Sequence, residues 1–384
     1  MRFFHLSDLH IGRQLHFYSL AEDQRRMLDQ IVEKARELHP DAILISGDVY
    51  DKAAPSAQAV EIFDEFLYRL AKIQPAISIM VIAGNHDSAQ RLSYASRILA
   101  DSKIYIAGHV PEREGEYIER VVLEDECGPV HFYLLPFLKP GYVRGLFEKE
   151  IPSTQEAIRL LLERENMEPD VRRVILTHQF YTAKGEGPSR SDSESIQVGG
   201  LQNVDVSVLE KFDYAAMGHI HRAQSMGEER FRYCGTMLKY PVSERNDKKT
   251  LTLVTLGEKG VPPRIEEIPL APFRELCQKR GTLQEILSQT DGVSEDYVSV
   301  ILTDEVIPYQ AREQLEECYP NLLELRIENS RTKKMQSQER KEKIVTDPVL
   351  LFQEFFRQMQ GRAMEEDERR MMEEVFQAVK EERE

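Results

Sequence analysis

Seven side chains able to ligate a metal stand where short apolar runs of this sequence end: Asp8, His10, Asp48, Asn85, His178, His219 and His221. The runs before them, residues 3–6, 42–45, 77–82, 174–176 and 214–217, have the composition of short β-strands. Carboxylate oxygens, imidazole nitrogens and one amide, with no sulfur, suit Mn²⁺, Fe²⁺, Co²⁺ or Zn²⁺ better than soft metals. The set is large enough for two ions. A pair about 3.5–4 Å apart is the arrangement that steadies both the attacking and the leaving oxygen in phosphate-ester hydrolysis. Two dications so close need a shared anion, and Asp48 is expected to bridge them. Gly47 and Gly84 precede ligands and are expected to allow a tight backbone turn at each strand end. His86 neighbours Asn85 but lies outside the ligand set; as an imidazolium it could protonate a departing oxygen. Asp87 either orients His86 or caps a helix beginning near Ser88. His5, His16, His39, His109 and His131 lack this strand-end context and read as structural or surface residues.

The carboxyl ends of strands are where ligands collect in an open α/β sheet. Helical stretches alternate with the apolar runs. In residues 22–38, Met27, Leu28, Ile31, Val32, Ala35 and Leu38 recur at helical spacing; in residues 57–73, Val60, Phe63, Phe66, Leu67 and Leu70 form one face. Further runs at 130–135, 231–233 and 251–256 supply more strands than one sheet needs. The expected fold is α/β, with a two-sheet core flanked by helices over residues 1–270. Prolines cluster as a break from Pro262 to Pro272, and residues 271–330 read as a small α/β capping domain.

Residues 331–346 are polar and basic (Arg331, Lys333, Lys334, Arg340, Lys341, Lys343), either a solvated linker or a phosphate-contacting segment. Asp347-Pro348 then opens a helix carrying Val349, Leu350, Phe352, Phe355, Phe356 and Met359. Gln360-Gly361 breaks it, and a second helix follows with Met371, Met372, Val375, Phe376 and Val379. The element at 347–384 either docks a partner helix or packs back on this chain.

At 384 residues the chain should divide into two or three domains, and 41% hydrophobic content is ample for a core. The formal net charge of −16 argues against a polycation that coats nucleic acid. It leaves room for an enzyme whose metals and local basic residues hold phosphates; Arg13, Lys52, Arg91, Lys184, Arg190, Arg222 and Lys239 lie near the ligand loops in sequence. Residues 184–195, rich in Gly and Ser, read as a mobile loop beside His178. Cys127, Cys234, Cys277 and Cys318 are scattered, so reduced thiols are expected. No apolar stretch reaches the roughly 18–20 residues of a membrane span. Asp8 comes too early to leave space for a removable signal peptide, and a cytoplasmic protein is expected.

Asp8-Leu9-His10, Gly47-Asp48, Gly84-Asn85-His86-Asp87, Thr177-His178 and Gly218-His219-Ile220-His221 resemble the signature of the calcineurin-like metallophosphoesterases. Ser7 to Gly12, Gly47 to Asp51, Gly218 to Gln224, Tyr233 to Thr236 and Leu238 to Glu244 together resemble the bacterial SbcD branch of nuclease subunits. The resemblance covers almost the whole chain. It implies one metal on Asp8, His10, Asp48 and His221, a second on Asp48, Asn85, His178 and His219, and His86 as the catalytic histidine. It further implies two Mn²⁺ ions (other divalent metals being possible) and DNA ends, hairpins and single strands as substrates. The implied partners are an SbcC-type coiled-coil ATPase and a second copy of the chain, as a homodimer within a heterotetramer. The two carboxy-terminal helices would clamp the base of the coil. Asp51 stands where archaeal relatives often carry a histidine, and Gly235-Thr236-Met237 where Gly-Ser-Pro is typical. Two other readings are a calcineurin-like phosphodiesterase for cyclic nucleotides or small phosphodiesters, and a noncatalytic scaffold for the ATPase.

Overall fold

The structure, a computed structural model, describes residues 1–147, 150–189, 203–290, 292–332, 348–360 and 362–381. Two six-stranded sheets dominate it. The first runs, edge to edge, Arg264–Pro269, Thr250–Thr255, Arg2–Leu6, Ala42–Ser46, Ser78–Ile82, Ile104–Ala107. The second runs Gln224–Met226, Glu228–Tyr233, Tyr214–Gly218, Arg172–His178, Gly128–Leu135, Glu119–Asp125. Arg2–Leu6, Ala42–Ser46 and Ser78–Ile82 pair in parallel, as do Tyr214–Gly218, Arg172–His178 and Gly128–Leu135. Parallel strands are covered on both faces and read as continuous apolar runs; Ala42–Ser46 and Ser78–Ile82 are buried at every position.

Between the sheets, Phe3, Leu44, Met80 and Ile82 of the first pack with Phe132, Leu134, Val174 and Tyr214 of the second. The Phe3 ring meets Phe132 and Tyr214 edge-on at 5.8 and 5.6 Å. Helices Ala21–Leu38 and Ala57–Ala71 bury their apolar faces in the outer core of the first sheet. Helix Thr154–Arg164 does the same for the second. The α/β sandwich expected from the alternating pattern is the fold the chain adopts.

Two details differ from the sequence reading. Val60, assigned to the buried face of its helix, is 45% exposed. The proline-rich break contains the strand Arg264–Pro269, paired antiparallel residue by residue with Thr250–Thr255. It is an edge strand with no fully buried position, so it lacks the apolar alternation that reveals a covered strand.

The chain divides into two compact units, Met1–Gln278 with Ser294–Ser299 and Tyr319–Leu323, and Lys279–Val293 with Val300–Cys318 and Glu324–Glu384. Strands Leu276–Gly281, Tyr297–Leu302 and Leu322–Ile327 form a third sheet with Tyr297–Leu302 central. All six residues of that central strand are buried. Helix Leu283–Leu287 starts from a reciprocal capping box between Thr282 and Glu285, and Ala311–Cys318 follows as a second helix. Helices Pro348–Gln360 and Glu366–Glu381 meet through Phe352 and Phe376, ring centroids 6.3 Å apart. Phe355, Met359, Met371 and Val375 on these helices stay 48–67% exposed. Arg190, the basic residues from Lys333 to Lys343, Asp347 and Gly361 lie outside the described residues. Among the described residues no helix is long and apolar enough to cross a membrane.

Candidate metal centre

Beyond the parallel strands Arg2–Leu6 and Ala42–Ser46 the two chain segments stay side by side. Asp8 N donates to Gly47 O at 3.0 Å, His10 N to Asp48 O at 3.0 Å, Ile11 N to Val49 O at 2.9 Å, and Asp51 N to Ile11 O at 3.2 Å. Within this ladder Asp8, His10 and Asp48 hold left-handed φ values of 53°, 43° and 50°, and His219 holds 100°. Non-glycine residues adopt such angles at a cost and keep them where surroundings over-determine the backbone, typically at ligand sites.

The structure brings the seven candidate ligands together. Asp8, His10, Asp48, His178 and His221 are all at most 5% exposed. His10 Nε2 lies 3.2 Å from His221 Nε2 and 3.7 Å from Asp48 Oδ2. His178 Nε2 lies 3.4 Å from the same Asp48 oxygen and 3.1 Å from Asn85 Oδ1. That amide oxygen is in turn 2.9 Å from His219 Nδ1. Asp48 thus stands between His10 on one side and His178 on the other. Ligand atoms of Asp8, His10 and His221 fall within 4.8 Å of one another, as do those of Asp8, Asp48 and His178, and those of His10, Asp51 and His86.

Backbone space is as specific as the side chains. Gly47 has φ +89° and supplies the tight turn expected of it. Gly84 is there for a different reason, because a Cβ on it would lie 2.1 Å from Asp48 Oδ1 and 2.3 Å from Asp48 N. His178 is locked from behind, its Nδ1 2.7 Å from the carbonyl oxygen of Ser46, which crosses from the first sheet to the second.

His86 N donates to Asp48 Oδ1 at 2.8 Å, and its ring Nδ1 lies 2.9 Å from Asp51 O. Its ring stacks edge-on against His10 at 4.9 Å. Asp87 does neither of the things expected of it. Its carboxylate accepts from the backbone N–H groups of Gly84, Val49 and Tyr50 at 2.9–3.1 Å, tying the two ligand loops together, while Ser88 caps the helix Ala89–Leu92. Three of the nearby basic residues are committed to carboxylates: Arg13 to Asp51 at 3.0 Å, Arg222 to Asp247 at 2.8 Å and Lys239 to Glu275 at 2.6 Å. Lys52, Arg91 and Lys184 remain exposed.

Sequence reasoning missed a set of supporting residues. Gln24 donates to His10 O at 2.8 Å and Tyr240 to Leu9 O at 2.5 Å. Glu244 Oε1 lies 3.4 Å from His221 Nδ1, and Lys249 donates to Glu244 at 2.7 Å. Tyr240 and Glu244 lie in the segment Leu238 to Glu244 that carries the family resemblance, but nothing in the sequence shows that they, Gln24 and Lys249 reach the candidate ligand loops.

Burial resists ionisation of Asp48, but His178, His10 and His86 around it outweigh that cost and hold its carboxyl well below the usual range. Burial pushes Asp8 the other way. Burial and the neighbouring His178 bring His219 down to about 3. Burial also resists charging of His178, yet Asp48 carries its imidazole up to about 9. His10 Nδ1 is buried with no hydrogen-bond partner. Two imidazole nitrogens facing each other beside two buried carboxylates are groups that a divalent cation would satisfy.

The calcineurin-like phosphoesterase family matches residues 1–223, and the family described as type 5 capsule protein repressor C-terminal domain matches residues 272–360. The chain is 30% identical over 331 residues to the SbcD subunit of the nuclease SbcCD from Staphylococcus epidermidis, covering 85% of each protein. Among solved structures it is similar to GAP50, the anchor in the inner membrane complex of Plasmodium, at 10% identity and TM-score 0.41, over 85% of this chain and 96% of that one. It is also similar to a dimetal phosphatase from Danio rerio at 13% identity and TM-score 0.38, over 71% and 99%. Divalent-metal chemistry comes with the first of these families, and the cluster of acidic and imidazole groups accords with it. The chain belongs to the calcineurin-like phosphoesterase family and, within it, to the SbcD family of nuclease subunits.

Proposed function

We propose that this chain is the DNA-cleaving subunit of an SbcCD-type complex, hydrolysing phosphodiesters with two Mn²⁺ ions. Asp8, His10, Asp48 and His221 would hold one ion, and Asp48, Asn85, His178 and His219 the other. The observation that carries this reading is Asp48 Oδ2 standing 3.7 Å from His10 Nε2 and 3.4 Å from His178 Nε2, between the two histidine groups. When bound, such a pair activates water and offsets charge developing on the phosphate. The protein contributes the rest. Asp48 supplies a buried shared anion, and the left-handed turns at Asp8, His10 and Asp48 fix where the ligands stand. His86 holds a proton for the departing sugar oxygen, its ring anchored through Nδ1 to Asp51 O.

Substrates on this reading are duplex ends, degraded 3′ to 5′, and single strands and hairpins cut internally, in cytoplasmic DNA repair and recombination. The carboxy-terminal helices, with Phe355, Met359, Met371 and Val375 exposed, supply an apolar surface for the base of the ATPase coiled coil. Two copies of this chain and two of the ATPase would make the heterotetramer. The test is a substrate panel at matched Mn²⁺, with and without the copurified ATPase and ATP. Cleavage of a DNA hairpin is expected. Hydrolysis of cyclic nucleotides with the hairpin left intact would overturn the nuclease reading.

A further inference from the structure

We infer that Glu244, paired with Lys249, is a positioning residue that sets how firmly the His221 end of the metal centre holds its cation. The inference rests on the ligand reading proposed above. Glu244 is wholly buried and Lys249 is 8% exposed. Taking both charges out of water is costly, so a buried pair is weak evidence of a stabilising role. One carboxylate oxygen of Glu244 lies 3.4 Å from His221 Nδ1, and the other accepts from Lys249 Nζ at 2.7 Å. Lys249 also donates to His221 O at 3.1 Å and to Thr236 Oγ1 at 2.7 Å. Thr236 N donates to the same His221 carbonyl at 3.1 Å. The His221 carbonyl is therefore held by hydrogen bonds from a single buried cluster, and Glu244 Oε1, not spent on another hydrogen bond, faces the ring Nδ1 across 3.4 Å.

A carboxylate behind Nδ1 keeps the proton on that nitrogen, so Nε2 turns its lone pair toward Asp8 and His10. Nε2 is the atom found 3.2 Å from His10 Nε2. His178, on the other side of Asp48, has only the neutral Ser46 carbonyl behind its Nδ1, at 2.7 Å. A carboxylate makes the imidazole it supports a stronger donor than a carbonyl does. Lys249 balances the charge of Glu244 and stops the carboxylate from swinging away from the ring.

The experiment is a Mn²⁺ titration by calorimetry on the full chain, beside thermal unfolding in chelator. Glu244→Gln keeps the size of the side chain and removes its charge. One of the two binding steps should weaken by about 10–100-fold, the usual effect of losing a group that orients a ligand, while the other holds. Glu244→Asp should recover part of the loss. Asp247→Asn, which touches the neighbouring Arg222 pair instead, should titrate as wild type. Should Glu244→Gln fold poorly because Lys249 is stranded, the double variant Glu244→Gln with Lys249→Met removes that cation and carries the same comparison. Two-step binding unchanged in these variants overturns the role of Glu244 and leaves the two-ion reading standing. Equal weakening of both steps also overturns it, by making the pair merely structural. Fewer than two ions in the wild type overturns the ligand reading itself.

Discussion

Nδ1 of His86 lies 2.9 Å from the carbonyl oxygen of Asp51. A carbonyl can only accept, so Nδ1 carries a proton and Nε2 is the nitrogen presented to a substrate. An acid at this position must then be the doubly protonated ring, and losing it removes proton transfer without touching the proposed ligands. His86→Ala is expected to lower DNA cleavage by about 10²–10⁴-fold with Mn²⁺ stoichiometry and DNA binding retained. Asp48→Asn should instead lose both ions. Single-turnover cleavage beside calorimetric titration separates the two; full activity in His86→Ala would remove the proposed acid.

Gly84→Ala is a sharper test of the site than most ligand changes. The new methyl would sit 2.1 Å from Asp48 Oδ1, so the carboxylate or its loop must move. We expect a stability loss of about 1–3 kcal/mol, as for other overpacked sites, with loss of Mn²⁺ binding. Gly141→Ala, whose Cβ meets nothing within 4 Å, should stay within about 0.5 kcal/mol of wild type. Equal melting temperatures and equal Mn²⁺ affinity for the two variants would contradict the contact.

His5 offers a pH test away from the ligands. Burial first, and the charge of Arg232 second, bring its imidazole from 6.5 down to about 3, and its Nδ1 lies 2.9 Å from Tyr214 Oη. The folded state therefore resists a proton that the unfolded chain accepts. Its contribution is intact above pH 6.5 and is lost as pH falls toward 3, by up to about 1.4 kcal/mol per pH unit. In His5→Gln the fall in unfolding free energy between about pH 6 and 4 should be shallower by up to that slope. Urea unfolding at several pH values measures it, and identical slopes would mean that His5 titrates as it does in water.

Removing residues 348–384 should spare Mn²⁺-dependent cleavage by the isolated subunit and abolish capture of the ATPase. Phe355, Met359, Met371 and Val375 are exposed without such a partner. Retained capture by the shortened chain would place the ATPase contact elsewhere.

The candidate ligands could be brought together from the sequence because most follow closely on, or end, a buried parallel strand, where apolar runs stop abruptly at a polar residue. Ile45-Ser46-Gly47-Asp48 and Ile82-Ala83-Gly84-Asn85 carry that signal in four residues. The edge strand Arg264–Pro269 carries none, keeping its polar side chains because solvent reaches them. Asp87 was misjudged for another reason. Its three backbone donors come partly from residues nearly forty positions away, and a backbone N–H looks the same at every position of a sequence. Glu244 ends a segment marked by the family resemblance, but its pairing with Lys249 was hidden, since a buried ion pair has the composition of a surface one until the fold encloses it.

The strand Arg2–Leu6 lies between Ala42–Ser46 and Thr250–Thr255, so the middle of the first sheet is filled by residues from opposite ends of the domain. A ribosome that has released everything through His221 has delivered every proposed ligand, yet the nascent polypeptide still leaves one edge of its first strand bare. Completion of the sheet from which Asp8 and His10 extend therefore waits for some thirty further residues to emerge.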